Sequence, residues 1–182
     1  MARIPYPDID QAPERVREAL AALPPLNIFR MLAHAETALR PFLRFGGAIL
    51  GELALDPKLR ELAILQVAAQ SGAEYEWVQH AAIGLAVGLT DEQVDAVHRE
   101  HLESEAFTDT ERAVLLFTSE VIEHPRVGNE TFEAVRERLS PREIVELLLT
   151  VGNYLMLARV MTTLDLELDE AAGGDALGAM RS

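Results

Sequence analysis

The sequence predicts an all-α fold, and three observations carry that prediction. Helix starts are spelled out at several points, apolar residues recur at helical intervals, and no alternating β-branched run or hairpin dipeptide competes with them. Asp56-Pro57 sets a capping carboxylate before a proline at the first helical position, where the missing N–H does no harm. Thr90-Asp-Glu-Gln93 and Thr108-Asp-Thr-Glu111 read as capping boxes, and Ser140-Pro-Arg-Glu143 joins such a box to a proline.

Taken in order, residues 1 to about 13 form an irregular, proline-rich arm, followed by a short helix to Leu23 and a break at Pro24-Pro25. Helices are expected over 26–33, 35–53, 57–70, 74–87, 91–98, 109–124 and 130–139, and a long last helix from Pro141 to near Leu164. Pro41 and Gly46-Gly47 are expected to kink or interrupt the second of these. Only Ser71-Gly-Ala73 separates 57–70 from 74–87, so that pair should form an antiparallel hairpin. A faint echo links Pro57-Lys-Leu-Arg-Glu61 with Ser140-Pro-Arg-Glu143, each opening an apolar stretch that runs into a glycine, as a duplicated helical hairpin would. The second copy carries Asn153-Tyr154 and Met156 where the first has its acid and histidine. Phe42, Phe45, Leu50, Leu62, Leu65, Leu147 and Leu148 read as packing residues. The domain plan is therefore an arm and short helix over 1–25, one helical domain over 26–170, and a flexible tail over 171–182 containing Gly173-Gly174.

Composition narrows the function. With 182 residues, 49% of them hydrophobic, one domain can bury a core without staples. A formal net charge of -14 repels phosphate backbones and anionic membrane surfaces, so neither nucleic acid nor membrane is expected as a partner. There is no cysteine, which removes thiol peroxidase chemistry, disulfides and thiolate metal sites together. Met1-Ala-Arg-Ile-Pro-Tyr-Pro-Asp8 lacks the apolar run of a signal peptide, and no stretch approaches the roughly 20 uninterrupted apolar residues of a membrane span. A cytoplasmic location is the expectation.

Chemistry concentrates in the segment 61–80. Helical spacing puts Glu76 and His80 one turn apart on one face, where a carboxylate can orient an imidazole and tune it for proton transfer. The plain alternative is a surface ion pair, but Trp77, Ile83, Leu85 and Val87 point to an enclosed helix, and enclosed charges need partners. Glu61, near the start of 57–70, reads first as a carboxylate complementing the helix dipole. In the expected hairpin it also comes beside the latter part of 74–87, within reach of His80. Tyr75, Trp77, Asn153 and Arg159 are candidates for a substrate pocket, Arg159 for a substrate carboxylate, although each alone also fits a core or contact role. His98 and His101 have metal-ligand spacing but no evident third ligand, while Glu61, Glu76 and His80 could together hold a metal.

Glu61, Ser71-Gly-Ala-Glu-Tyr-Glu-Trp-Val-Gln-His80 and Gly88-Leu-Thr-Asp-Glu-Gln-Val94 together resemble the core of the carboxymuconolactone decarboxylase and alkylhydroperoxidase D superfamily. Leu26-Asn-Ile-Phe-Arg-Met-Leu-Ala-His34, Glu130-Thr-Phe-Glu-Ala-Val135, Glu143-Ile-Val-Glu-Leu147 and Gly152-Asn-Tyr-Leu-Met-Leu-Ala-Arg159 extend the resemblance to its longer members. It implies an alkylhydroperoxidase D-like helical bundle that assembles into homo-oligomers, trimers or hexamers with a dimer also open, with pockets near subunit contacts. In the peroxidase branch a glutamate, a Cys-x-x-Cys pair and a histidine form the centre. Glu61 and His80 match its relay positions, but Ala73 and Glu76 stand where the cysteines would be. The resemblance therefore points to the decarboxylase branch, which works without cysteines or cofactor on a small lactone acid. The expected function is cofactor-free proton transfer, with decarboxylation or isomerisation of a small organic acid or lactone. His80 is the expected acid or base, Glu76 orients it, and Glu61 completes the relay. The alternatives are a metal-dependent or peroxide-handling enzyme, or an oligomeric protein that only binds a ligand.

Overall fold

A computed structural model describes residues 1–172, and every regular element among them is helical. A 3₁₀ turn at Ile9–Gln11 precedes α1 (Glu14–Leu20), α2 (Asn27–Leu32), α3 (Leu39–Gly51), α4 (Pro57–Ser71) and α5 (Glu74–Ala86). They are followed by α6 (Asp91–His98), α7 (Asp109–Glu123), α8 (Asn129–Arg136) and α9 (Pro141–Thr163). The capping chemistry is realised: Asp56 accepts from the N–H groups of Lys58 and Leu59 at 2.8 and 3.4 Å, and the boxes at Thr90, Thr108 and Ser140 are all closed.

The centre of the molecule is α4. Every residue from Leu59 to Ala68 is buried, and α5, α6, α7 and α9 pack around it. A helix enclosed on all sides has no solvent face for charge, so Arg60 and Glu61 must find partners inside the protein. Gly72 ends α4 at φ +60, and the N–H groups of Gly72 and Ala73 return to the carbonyls of Ala69 and Ala68 at 3.1 and 2.9 Å. The chain reverses there, and α5 runs back along α4.

Three points of the fold bear on the sequence expectation. First, α3 begins at Leu39 rather than residue 35, after turns over 33–38, and continues unbroken through Gly46 and Gly47. Pro41 falls in its first turn, where the missing N–H had no intrahelical partner to lose. Second, α9 is the single long helix the sequence predicts from Pro141, and the echo of α4 does not extend to a hairpin there, since Gly152 lacks the positive φ that lets Gly72 reverse the chain. Third, α9 is long and apolar enough to span a membrane by length and composition, with a mean hydropathy of 1.5 over its apolar stretch. In this fold it is a core helix, burying Ile144, Leu147, Val151, Tyr154 and Ala158, while Val145, Leu148, Leu149 and Met156 lie exposed.

Two of the expected packing residues, Phe45 and Leu148, are likewise exposed; Phe42 lines a cavity, and Leu50, buried in the core as expected, borders the same cavity. The N-terminal arm is tied to the chain beyond α9. Ala2 N–H and the Tyr6 hydroxyl donate to the two carboxylate oxygens of Glu167 at 2.8 and 2.7 Å, and Arg3 N–H donates to the Leu164 carbonyl at 2.8 Å. Ala172 is held in turn by Gln79, whose Oε1 accepts from its N–H at 2.9 Å. The rest of the expected flexible tail, Gly173-Gly174 included, lies outside the described residues.

Candidate active site

A partly open cavity of about 90 Å³ lies between α2 and α3 on one side and α5 and α9 on the other. From α3 come Phe42, Leu43, Gly46, Gly47 and Leu50, a single helical face. Its glycines leave the space open, and a Cβ added at Gly46 would meet nothing within 4 Å. Tyr75, Glu76, Gln79, His80 and Ile83 form the matching face of α5, and Asn153, Tyr154, Leu157 and Met161 that of α9. Most of the wall is apolar, and its few polar groups gather on α5 and α9.

Behind this wall runs a chain of buried polar contacts. Glu61 is fully buried, and its Oε2 lies 2.8 Å from His80 Nδ1. Its other oxygen, Oε1, accepts from Arg60 Nε at 2.8 Å, and Arg60 Nη1 donates to the Leu50 carbonyl at 3.0 Å, near the C-terminus of α3, where a cation is favoured. A carboxylate on Nδ1 selects the tautomer with the proton on that nitrogen and leaves Nε2 as a base. Nε2 has no hydrogen-bond partner among the described residues. The His80 ring also meets Tyr154 edge-on, with centroids 4.7 Å apart.

Glu76 stands differently. It is 2% exposed, and neither carboxyl oxygen has a hydrogen-bond partner among the described residues. Burial pushes its pKa well above the usual carboxylate value, which favours the carboxylic acid, the form able to donate a proton. Tyr154 is also pushed well above its usual value, by burial first and then by Glu61 and Glu76, with Arg60 opposing, so it remains a hydroxyl. Asn153 is 4% exposed with Oδ1 unpartnered. Tyr75 donates its hydroxyl to Asp169, and Gln79 Nε2 donates to the carbonyls of Asp169 and Glu170 at 3.5 and 3.1 Å. The chain after α9 is thereby strapped to two residues of the cavity wall.

Of the residues singled out from the sequence, Glu76, His80, Tyr75 and Asn153 line the cavity and Glu61 stands directly behind it. The hydrogen bond to His80 comes from Glu61, so the orienting role expected of Glu76 passes to Glu61. Trp77 and Arg159 lie elsewhere. Trp77 is one step round α5 from Glu76 and packs with Leu62, Leu65 and Val97, its ring 4.8 Å from that of His98. Arg159 is on the exposed side of α9, outside the lining. His98 and His101 are exposed, and among the described residues no group of three or more His, Asp or Glu is arranged to hold a metal. Sequence reading passed over Arg60 and Tyr154. Arg60 was signalled by a cation beside Glu61 in an apolar helix, and Tyr154 by the echo that set Asn153-Tyr154 against the acid and histidine.

Comparison with known proteins agrees with this picture at the level of fold. Residues 36–120 match the model of the Carboxymuconolactone decarboxylase family. An alkylhydroperoxidase AhpD core, an uncharacterized peroxidase-related protein from Ralstonia eutropha JMP134, superposes with a TM-score of 0.81 at 21% identity, over 100% of this chain and 97% of that one. An uncharacterized peroxidase-related protein from Silicibacter sp. TM1040 gives 0.80 at 16% identity, over 99% and 96%. The debrominase Bmp8, as an alanine-for-cysteine variant in complex with 2,3,4-tribromopyrrole, gives 0.75 at 18% identity, over 99% and 100%. No curated protein matches the chain. The fold is that of the alkylhydroperoxidase D-like helical proteins.

Proposed function

We propose, from a chain whose residues 36–120 belong to the carboxymuconolactone decarboxylase family, that this protein is a proton-transfer enzyme. It isomerises or decarboxylates a small carbonyl compound, a lactone or an organic acid, without a cofactor. The observation that carries this reading is the imidazole of His80, held through Nδ1 by the fully buried Glu61 and opening on an apolar cavity beside the buried carboxyl of Glu76, whose pKa burial raises.

The roles follow from the chemistry. His80 Nε2 removes a proton from carbon next to the carbonyl, and the electron pair moves onto the carbonyl oxygen. Glu61 keeps the imidazole in the working tautomer and stabilises its cation, while Arg60 offsets the carboxylate's charge. The developing oxyanion needs donors in a dry site, and the Tyr154 hydroxyl and the Glu76 carboxylic acid supply them. Return of the proton from His80 to a different carbon completes an isomerisation. With no thiol in the sequence, the peroxide chemistry in the names of its structural neighbours has no sulfur to use.

The test is solvent hydrogen exchange. Lactones and ketones incubated with the protein in D2O should exchange their activated C–H positions, observed by proton NMR. His80→Gln should abolish the exchange with the fold intact. Exchange that persists in His80→Gln, or that no carbonyl compound shows, defeats the reading.

The protein also self-associates on this reading, and the surface is the exposed side of α9. Val145, Leu148, Leu149 and Met156 form an uncharged apolar stripe there, on a chain whose net charge of -14 repels copies elsewhere. A second copy of this chain is the occupant proposed.

A further inference from the structure

We propose that the cavity takes a neutral ligand of about one ring, bearing both a hydrogen-bond donor and an acceptor, and that it rejects small carboxylate anions. This rests on reading the cavity as the substrate site, and it narrows the substrate within that reading.

The first ground is the absence of an available cation. Among the described residues, no Lys or Arg lines the cavity. Arg60, behind the wall, is occupied by Glu61 and the Leu50 carbonyl, and Arg159 is exposed outside the lining. An anionic ligand would have to leave water for an apolar wall where, among the described lining residues, His80 is the one basic side chain, and His80 already faces the Glu61 carboxylate.

The second ground is what the wall leaves unpaired. Both oxygens of Glu76 and Oδ1 of Asn153 are buried without partners among the described residues, which is costly unless a ligand or water completes them. A carboxylic acid offers one O–H donor and one carbonyl acceptor side by side. Its complement is a group with an acceptor beside a donor, such as a hydroxy-carbonyl, an enolised carbonyl, an amide or a phenol. A carboxylate brings acceptors only, and would set oxygen against the Asn153 oxygen.

The third ground is size. An apolar cavity of about 150 Å³ accepts benzene. One of about 90 Å³ is smaller but partly open, so a single ring fills it and carries its polar substituent toward the opening, and nothing larger is enclosed. The consequence for the reaction is direct. Decarboxylation consumes a carboxylate, whereas isomerisation can act on a neutral carbonyl compound and leaves every atom in place, so the cavity favours isomerisation.

The experiment uses the full chain and four probes, phenol, benzamide, toluene and benzoate, titrated at about neutral pH with binding read by protein-observed NMR. Phenol and benzamide should bind at least tenfold more tightly than benzoate, and more tightly than toluene. Glu76→Leu should erase the preference for phenol over toluene, a change that a merely structural role would not produce. Gly46→Leu, which fills the open space without touching a polar group, should abolish binding of all four. Benzoate binding as tightly as phenol, and lost in Gly46→Leu, overturns the proposal and leaves proton transfer standing. Neutral-selective binding without hydrogen exchange upholds it while defeating the catalytic reading. Binding of none of the probes, or phenol binding that survives Gly46→Leu, also overturns it.

Discussion

Glu76 sits where an unrelieved polar group is most expensive, and its pH dependence should show it. Its pKa is raised in the folded state by burial. Below the usual carboxyl value both folded and unfolded forms are protonated and no penalty arises. As pH climbs past about 4.5 the unfolded chain releases the proton and the folded chain does not, so stability falls until the folded pKa is reached. Glu76→Gln should therefore match the wild type in acid and gain on it by about 1.4 kcal/mol per pH unit above that point, as read by urea unfolding. Arg60 is a different case, because removing it strands the Glu61 charge. Arg60→Met should cost about 3–5 kcal/mol in the same assay, and adding Glu61→Leu should recover most of the loss. Glu61 and His80 could be brought together from sequence because one short turn fixes the register of their two helices. Arg60 and Tyr154 could not, since their roles depend on the end of α3 and on α9 converging on the same point, and no local spacing encodes that.

Among the elements, the glycines separate two uses of one residue. Gly72 holds a left-handed backbone that ends α4, so Gly72→Ala should lower stability by about 1 kcal/mol. Gly46 lies inside α3 with open space beside it, and Gly46→Ala should raise stability by about 0.5–1 kcal/mol while narrowing the cavity. Thermal or urea unfolding of the pair reads both signs. On α9, charges introduced by Val145→Glu with Leu149→Glu should leave helix content unchanged by circular dichroism and reduce the assembly to monomers by light scattering. Dissociation only on unfolding would move the contact elsewhere. Helix starts were legible because Asp56, Thr90, Thr108 and Ser140 each write a cap locally. The start of α3 was not, since Pro41 is as much at home in a first turn as at a break.

Over the whole molecule, the N-terminal arm is fastened to the chain following α9, and that chain to the cavity wall. Tyr6 and the Ala2 N–H hold the Glu167 carboxyl down to a pKa of about 2, and its acidity pushes the Tyr6 hydroxyl, already raised by burial, up to about 12. A lowered carboxyl stabilises the fold above its unfolded pKa and loses that contribution as pH falls toward its folded value. The arm should accordingly become accessible to acid-stable proteases between about pH 4.5 and 2, and Tyr6→Phe should bring that opening to higher pH. These contacts join residues more than 100 positions apart, which is why the sequence showed an irregular arm where the structure shows a clasp onto the chain after α9. The strap they anchor also reaches Tyr75 and Gln79 in the cavity wall, so the arm, the strap and the site form one structure. At its centre is the coexistence of a neutral carboxylic acid with an ion-paired carboxylate around one histidine. Carbon-13 NMR of the glutamate carboxyls, with Glu76→Gln to assign the resonance, tests this most directly. The Glu76 signal should stay at its protonated shift through neutral pH; a signal that titrates near 4.5 would remove the donor, the neutral pocket and the proposed chemistry together.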